Sequence, residues 1–590
     1  MAQKRHETGL NAGEQEEQRD NNLTAVLIIL NLAFIAVLLY ILSILFAYPV
    51  FQSTRITDPL AEINSLSPLY YIAIALIALL IICCVIWRIG NRYLHIFLLM
   101  LFAIMLWLTP YLLTSFVRLG DSPWHTGVAM SIPQVLDGEP VSFSSYGWYY
   151  PASYVYHYSV MGILGVHPLT YINLYPLFCL LLFVLFIYLL IARLLNRRVT
   201  LLAMVLAIPG LHYLQLHTSP HTIGALLMLT ALLLLMQKGT ARKIIPLVLI
   251  VTAIVISTHP TTPLLLSIFL AAALLTDIIY SRRLTRNQLA ITGVFLLCFV
   301  GWFLWYSYYP SPPWFTGSSS GLVGRLFTEE FGTAGEYLGG TPFIYANIYN
   351  LNKAIYYLYA AAALLGVLYL AATNYSRKEG VRKWLAKLGG LKRSEACISI
   401  SMLPLIFLTF LLAERAHDLI ETGLTYMILA LSCIIASAIV RSRRIDRKTA
   451  SSVVLVGVLF LTIAYPIVAY SIDAYSNFPE SEKLGVEFLD SKVPLDGKIL
   501  AGTNVSQLAI YPQASSAEIT RINYRREQVY ADIAVFRNTG YYYMAMRFAR
   551  SFEKNAYTEY LEMIEDGRYD KVYSSSTFNV YLNSGRNSDG

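Results

Sequence analysis

Asp121 sits in a polar stretch, Arg118-Leu-Gly-Asp-Ser-Pro-Trp-His125, that interrupts a long series of apolar runs. Charge is costly in hydrocarbon, so a carboxylate just beyond an apolar helix lies at a boundary where water and lipid both reach it. There it could serve as a general base on a membrane-delivered substrate. It could equally be a solvated side chain capping a helix that begins near Ser122-Pro123. Arg118, three residues earlier, is a candidate partner or phosphate ligand. His125, four residues later, would share a helix face with Asp121.

A second polar group is Glu414-Arg-Ala-His-Asp418, at the end of another apolar run. Arg415 cannot lose its charge and binds phosphate through two parallel donors. It could hold a lipid-linked phosphate, or pair with a carboxylate and snorkel into headgroups. Glu414 and His417 flank it. Elsewhere His212, His217 and His221 surround Pro220. The spacing of His217 and His221 would suit a metal on an intact helix. Pro220 argues against one, because proline breaks the preceding turn. Lining a polar pocket is the simpler reading. Ser257-Thr-His259-Pro260 could line the same cavity. The aromatic stretch Tyr146-Gly-Trp-Tyr-Tyr-Pro151 and the Trp302–Tyr309 cluster fit either a membrane-interface belt or stacking on sugar rings. Asn504-Val-Ser506 is a glycosylation triplet. Walker A, Gly-x-Gly-x-x-Gly and His-Glu-x-x-His patterns are absent from the sequence.

The elements that would position these groups are membrane helices. Of 590 residues, 56% are hydrophobic and 14% charged, against roughly 25% charged in soluble domains. The apolar runs are long enough to cross about 30 Å of hydrocarbon as helix. Barrel strands would instead alternate over about 10 residues. Thirteen spans are expected, near 24–47, 69–87, 94–113, 169–192, 199–211, 222–236, 244–258, 264–280, 289–306, 354–373, 397–413, 423–440 and 451–471. With the N-terminus inside, inner segments carry 26 Lys and Arg residues and the outer loops before the last span carry five. That asymmetry sets orientation and accounts for the net charge of +8 without nucleic acid.

The expected fold is therefore a polytopic α-helical membrane protein with the N-terminus in and the C-terminus out. Residues 1–23 read as a disordered cytoplasmic tail and 24–471 as the transmembrane domain. Its long outer loops are 114–168, with an interfacial helix near 153–163, and 307–353. Residues 472–590 read as a small extracytoplasmic α/β domain, with strands at Lys498-Ile-Leu-Ala501 and Asp570-Lys-Val-Tyr573 and a helix over 554–566. Eight of ten histidines lie on or near the outer face, with most of the carboxylates. The working surface is expected there. The six cysteines lie in or beside apolar runs, which suits neither a disulfide framework nor a Cys-based zinc site.

These features together resemble the GT-C superfamily of integral membrane glycosyltransferases. The carriers are a carboxylate in a large outer loop soon after a span, the Tyr149-Tyr-Pro151 element before an interfacial helix, the Glu414-Arg415 pair at the outer end of a late span, and the outer α/β tail. The resemblance covers roughly 94–590, with two spans added in front. It implies a polyprenyl-phosphate-linked sugar donor, a glycan, lipid or protein acceptor, and a cell-membrane enzyme working on its extracytoplasmic side. It implies inverting displacement with Asp121 as base and Arg415 on the leaving lipid phosphate. His125 or His259 would orient the acceptor.

Many members carry two adjacent acids in that loop, whereas Ser122 follows Asp121 here. A lone carboxylate binds a divalent ion poorly, so no metal or other cofactor is expected. The departure leaves Asp137 or Glu139 open as alternative bases. The rival class is a transporter or flippase for a lipid-linked glycan or small solute. Repeats, broken helices and mid-span charges would mark one; no repeat is visible, and Asp277 and His95 sit near inner ends. A non-catalytic scaffold for surface-glycan assembly is a third option.

Overall fold

The computed structural model describes residues 12–53, 60–114, 118, 121–137, 147, 150–211, 216–237, 241–259, 261–281, 286–308, 343–373, 398, 417–441, 447–473 and 480–491, with five strands between 498 and 583. Helices lie over twelve of the thirteen expected spans. Apart from Ile398, the segment 397–413 lies outside the described residues. Among the described residues, four helical stretches are long and apolar enough to cross a membrane: Leu23–Phe51, Pro68–Ile86, Arg92–Leu113 and Pro168–Leu194. Seven further apolar stretches within helices, such as Pro220–Leu235 and Tyr426–Arg441, span 10–17 residues. Large apolar side chains remain exposed along several of them, among them Leu45, Ile72, Leu174 and Leu365. That is the exterior a lipid-facing bundle needs.

The first helix runs Ala12–Ser53, so it begins within the stretch expected as a disordered tail. Residues 14–18 are Glu and Gln, which are good helix formers, and they extend a helix already nucleated by the apolar segment.

At the centre of the bundle the helix Arg92–Ala103 passes into one π-helical turn, Ile104–Leu108, and then into Thr109–Leu113. The local cause is Pro110. It has no N–H, so the Leu106 carbonyl loses its usual donor four residues on. Tyr470 Oη donates to that carbonyl at 2.6 Å. Met105 O accepts from Thr109 Oγ1 at 2.6 Å and from Tyr70 Oη at 3.0 Å. Tyr70 and Tyr470 share a further hydroxyl contact of 2.7 Å. Tyr40 Oη meets Thr109 Oγ1 at 3.0 Å, and Trp107 Nε1 donates to Ile208 O. One irregular turn thereby ties down the first helix, Pro68–Ile86, the Ile208–Gly210 turn and the last long helix, Arg447–Asp473.

Beyond the bundle, Glu480–Asp490 is a helix and residues 498–583 contribute one sheet of order β2-β1-β3-β5-β4. The strands are β1 Lys498–Ala501, β2 Glu518–Arg521, β3 Ile533–Arg537, β4 Tyr569–Ser574 and β5 Phe578–Asn583. The β1 pairings are parallel, while β3–β5 and β4–β5 are antiparallel. Strands thus occur at both places where the sequence suggested them. The helix expected over 554–566 lies outside the described residues.

Candidate active site

Asp121 is the first residue of the helix Asp121–Met130 and its side chain is exposed. Among the described residues it makes no ion pair. Three positions matter behind it. Trp124 and His125 are half-buried on the same helix, and Thr126 is fully buried. Thr126 Oγ1 meets Thr218 Oγ1 at 3.1 Å, and Thr218 Oγ1 donates to Ser122 O at 3.0 Å. Since Thr218 spends its proton on that carbonyl, Thr126 is the donor between the two hydroxyls. Tyr111 Oη donates to Leu216 O from the end of the preceding helix. Residues 216–219 are therefore strapped to the Asp121 helix.

Those straps place histidines. His217 lies before the helix Pro220–Leu235, and His221 lies within its first turn. Ser219 caps that helix, its Oγ accepting from Thr222 N at 3.3 Å, and Pro220 takes the first position, where its missing N–H costs nothing. His217 and His221 consequently do not share a helix. Instead the His217 ring comes within 6.1 Å of His125, and the His221 ring within 5.2 Å of His259. His259 precedes the helix Thr261–Ser281, and its Nδ1 contacts Thr261 Oγ1 at 2.9 Å. Gly224 permits this approach: a Cβ there would lie 2.7 Å from Thr262 Oγ1 and 3.4 Å from His259 Cβ.

The helix Pro151–Leu164 closes the other side, where expected, and Ala152 N bonds Ser257 O at 3.2 Å. Its buried Tyr154 hydroxyl lies 3.0 Å from His125 Nδ1. One turn on, His157 Nδ1 lies 2.7 Å from Tyr171 Oη, while its Nε2 is buried without a hydrogen-bond partner. Gly165, at φ 59°, makes the left-handed turn that folds Pro168–Leu194 back against it.

Electrostatics follow from burial. Loss of water pushes His125 well below its ordinary value, and the nearby His217, His157 and His259 rings add to that. Burial pulls His157 down to about 3, with His217 contributing. His259 is lowered by burial first and by His221 second. Tyr154 is held well above the usual phenol range by burial, with the Asp121 charge pushing the same way. The result is that His125, His157 and His259 are held as neutral imidazoles on the elements around Asp121. Among the described residues no group of three or more His, Cys, Asp or Glu has the geometry of a metal site.

Arg118, three residues before Asp121, makes an ion pair with another segment of the chain. It is buried, with Nη1 2.5 Å from Oε1 of Glu62, itself fully buried, and its guanidinium lies 5.7 Å from the Tyr111 ring centroid and 5.9 Å from that of Tyr470. Glu62 escaped the sequence reading. Its only signal was a carboxylate within a short segment, Ala61-Glu-Ile-Asn-Ser65, between two apolar runs. Asp137 follows the helix Ile132–Leu136 and is exposed. Glu139, Glu414 and Arg415 lie outside the described residues. His417 begins the helix His417–Arg441.

No family model and no curated protein matches this chain. Among solved structures, it is similar to ArnT from Cupriavidus metallidurans bound to undecaprenyl phosphate, at 11% identity and a TM-score of 0.46, over 84% of this chain and 99% of that one. It is also similar to the Archaeoglobus fulgidus oligosaccharyltransferase tethered to an acceptor peptide, at 12% identity and a TM-score of 0.47, over 84% of this chain and 74% of that one. The same archaeal enzyme, AglB, with an inhibitory peptide and a dolichol-phosphate, matches at 14% identity and a TM-score of 0.45, over 88% of this chain and 74% of that one.

Proposed function

We propose that the protein is a multi-pass cell-membrane glycosyltransferase of the GT-C type, moving a sugar from a polyprenyl-phosphate donor to an acceptor hydroxyl on the extracytoplasmic side. Thirteen spans, the N-terminus inside and an outer α/β domain over 472–590 complete this reading. The observation that carries it is Asp121: an exposed carboxylate without an ion pair among the described residues, one helical turn before His125, in a patch of neutral imidazoles. A free carboxylate at such a rim is suited to accept a proton, and polar rings that carry no charge suit an uncharged sugar better than a coupling ion.

In this mechanism Asp121 takes the acceptor hydroxyl proton as that oxygen attacks the anomeric carbon. The bond from that carbon to the lipid phosphate oxygen breaks with inversion, and Arg415 holds the departing phosphate. His125, His217, His221 and His259 hold hydroxyl groups in place, with Glu414 and His417 flanking Arg415. Arg118, ion-paired with buried Glu62, is assigned to the scaffold rather than to the phosphate.

The test is Asp121→Asn in nanodiscs, assayed for sugar transfer from polyprenyl-phosphate donors. Loss of about 10²- to 10⁴-fold is expected when a general base is removed. Full retained transfer would remove the base assignment. Counterflow of labelled substrate without a covalent product would replace the enzyme with a transporter.

A further inference from the structure

The face beside Asp121 has a chemical character of its own. Trp124, His125 and His221 each present a partly exposed edge, with His217 and His259 buried behind them. Trp124 and His125 lie 4.8 Å apart between ring centroids at 67°, so the indole and the imidazole form two walls of one corner. The Nδ1 atoms of His125 and His259 are each engaged by a hydroxyl, Tyr154 and Thr261, and among the described residues Nε2 of each ring has no hydrogen bond. The same arrangement recurs at His157, whose fully buried Nε2 has no partner.

We propose that this corner is a binding subsite for an uncharged, hydroxyl-rich ring, a neutral sugar, with Trp124 against its C–H face and His125, His221 and His259 bonding its hydroxyls. This deepens the glycosyltransferase reading and rests on it for the identity of the site.

The argument is one of matching donors, acceptors and charge. A neutral imidazole offers one donor or one acceptor at Nε2, according to its tautomer. A hydroxyl is both, so it satisfies either. An anion would need these rings protonated, yet at His125 and His259 burial comes first and neighbouring imidazoles second, and both oppose protonation. The Asp121 carboxylate would also repel an anion. Buried Arg118 gives no help, since Glu62 neutralises it. An ammonium-bearing sugar would occupy Asp121, the group the reaction needs free. An aromatic wall beside polar ring atoms suits a ring with an apolar face and polar edges.

Saturation-transfer NMR on the full chain in nanodiscs tests this with methyl glucoside, methyl mannoside, methyl galactoside, methyl glucuronide and methyl glucosaminide. At least one neutral hexoside should take up saturation, and its signal should fall about tenfold in both Trp124→Ala and His221→Phe, each of which removes a principal contact. The milder pair Trp124→Phe and His221→Gln guards against loss of folding and should show the same order of effect. The inference is overturned if no neutral hexoside binds, if the glucuronide or glucosaminide binds as well, or if the signal survives the folded variants. Transfer activity read on the same samples separates the two claims. Transfer lost in Asp121→Asn without hexoside binding at the corner sinks this inference alone. Hexoside binding without transfer from any polyprenyl-phosphate sugar sinks the enzyme and leaves a sugar-binding membrane protein.

Discussion

Arg118 Nη1 and Glu62 Oε1 lie 2.5 Å apart, with side chains 3% and 0% exposed. The pair joins the Ala61–Ser65 helix to the chain that leads, three residues later, into Asp121. Two charges taken out of water favour the fold only while both are present. Glu62→Ala would take the carboxylate away from the buried guanidinium, at a cost of about 3–5 kcal/mol. Replacing both together, as Glu62→Leu with Arg118→Met, should recover most of that loss. Thermal unfolding in detergent measures it, and a Glu62→Ala midpoint equal to the parent's would show that the pair is solvated after all.

Tyr470 carries the second prediction. Its hydroxyl serves the Leu106 carbonyl that Pro110 deprives of an N–H, and it also meets Tyr70. Tyr470→Phe keeps the ring and removes that donor, leaving a buried carbonyl exposed to no water. The expected destabilisation is about 1–3 kcal/mol. Pro110→Ala restores the N–H, so in that background Tyr470→Phe should cost less. Equal costs in both backgrounds would detach Tyr470 from the proline's missing donor.

Helix positions were legible in the sequence because apolar runs of spanning length have few other fates in this composition. The helix at Asp121 and the one at 151–164 were legible from Ser-Pro and Tyr-Pro starts. What escaped is what no local pattern encodes. Glu62 and Arg118 are 56 residues apart, and a charge pair across that distance leaves no periodicity. The π-helical turn was half visible, since Pro110 announces an orphan carbonyl, but its donor comes from Tyr470. The approach of His221 to His259 depends on Gly224 being small enough for a neighbouring helix to close in. Long-range complementarity of this kind belongs to packing, and a single sequence shows only its ingredients.

The buried His157 ring makes stability depend on pH in a definite direction. Its folded value, about 3, lies below the ordinary 6.5. Between those values the unfolded chain binds a proton that the folded chain does not. Stability is therefore full above about 6.5 and is lost as pH falls, at about 1.4 kcal/mol per pH unit for this one group. His157→Phe should be less stable than the parent at pH 7, and the gap should close by that amount per unit on acidification. Unfolding midpoints at pH 7, 6 and 5 check the sign. A gap that stays constant would mean that His157 titrates alike in both states.

Gly224 tests whether packing sets the geometry of the histidine corner. A Cβ there would fall 2.7 Å from Thr262 Oγ1, so Gly224→Ala forces Thr262 or its helix to move. Thr262 is β-branched and fully buried, which makes rotation expensive. Its Oγ1 also lies 3.4 Å from His259 Nδ1, so the displacement is passed to that ring. Overpacking of this size costs about 1–3 kcal/mol. The telling comparison is with Thr262→Ala in the same chain. It removes the colliding hydroxyl, so the double variant should regain stability relative to Gly224→Ala alone. If His259 holds a sugar hydroxyl, the single variant should lose transfer through a higher KM with kcat largely kept, and the double should recover it. Unchanged stability in Gly224→Ala would mean that the two helices do not meet at this position.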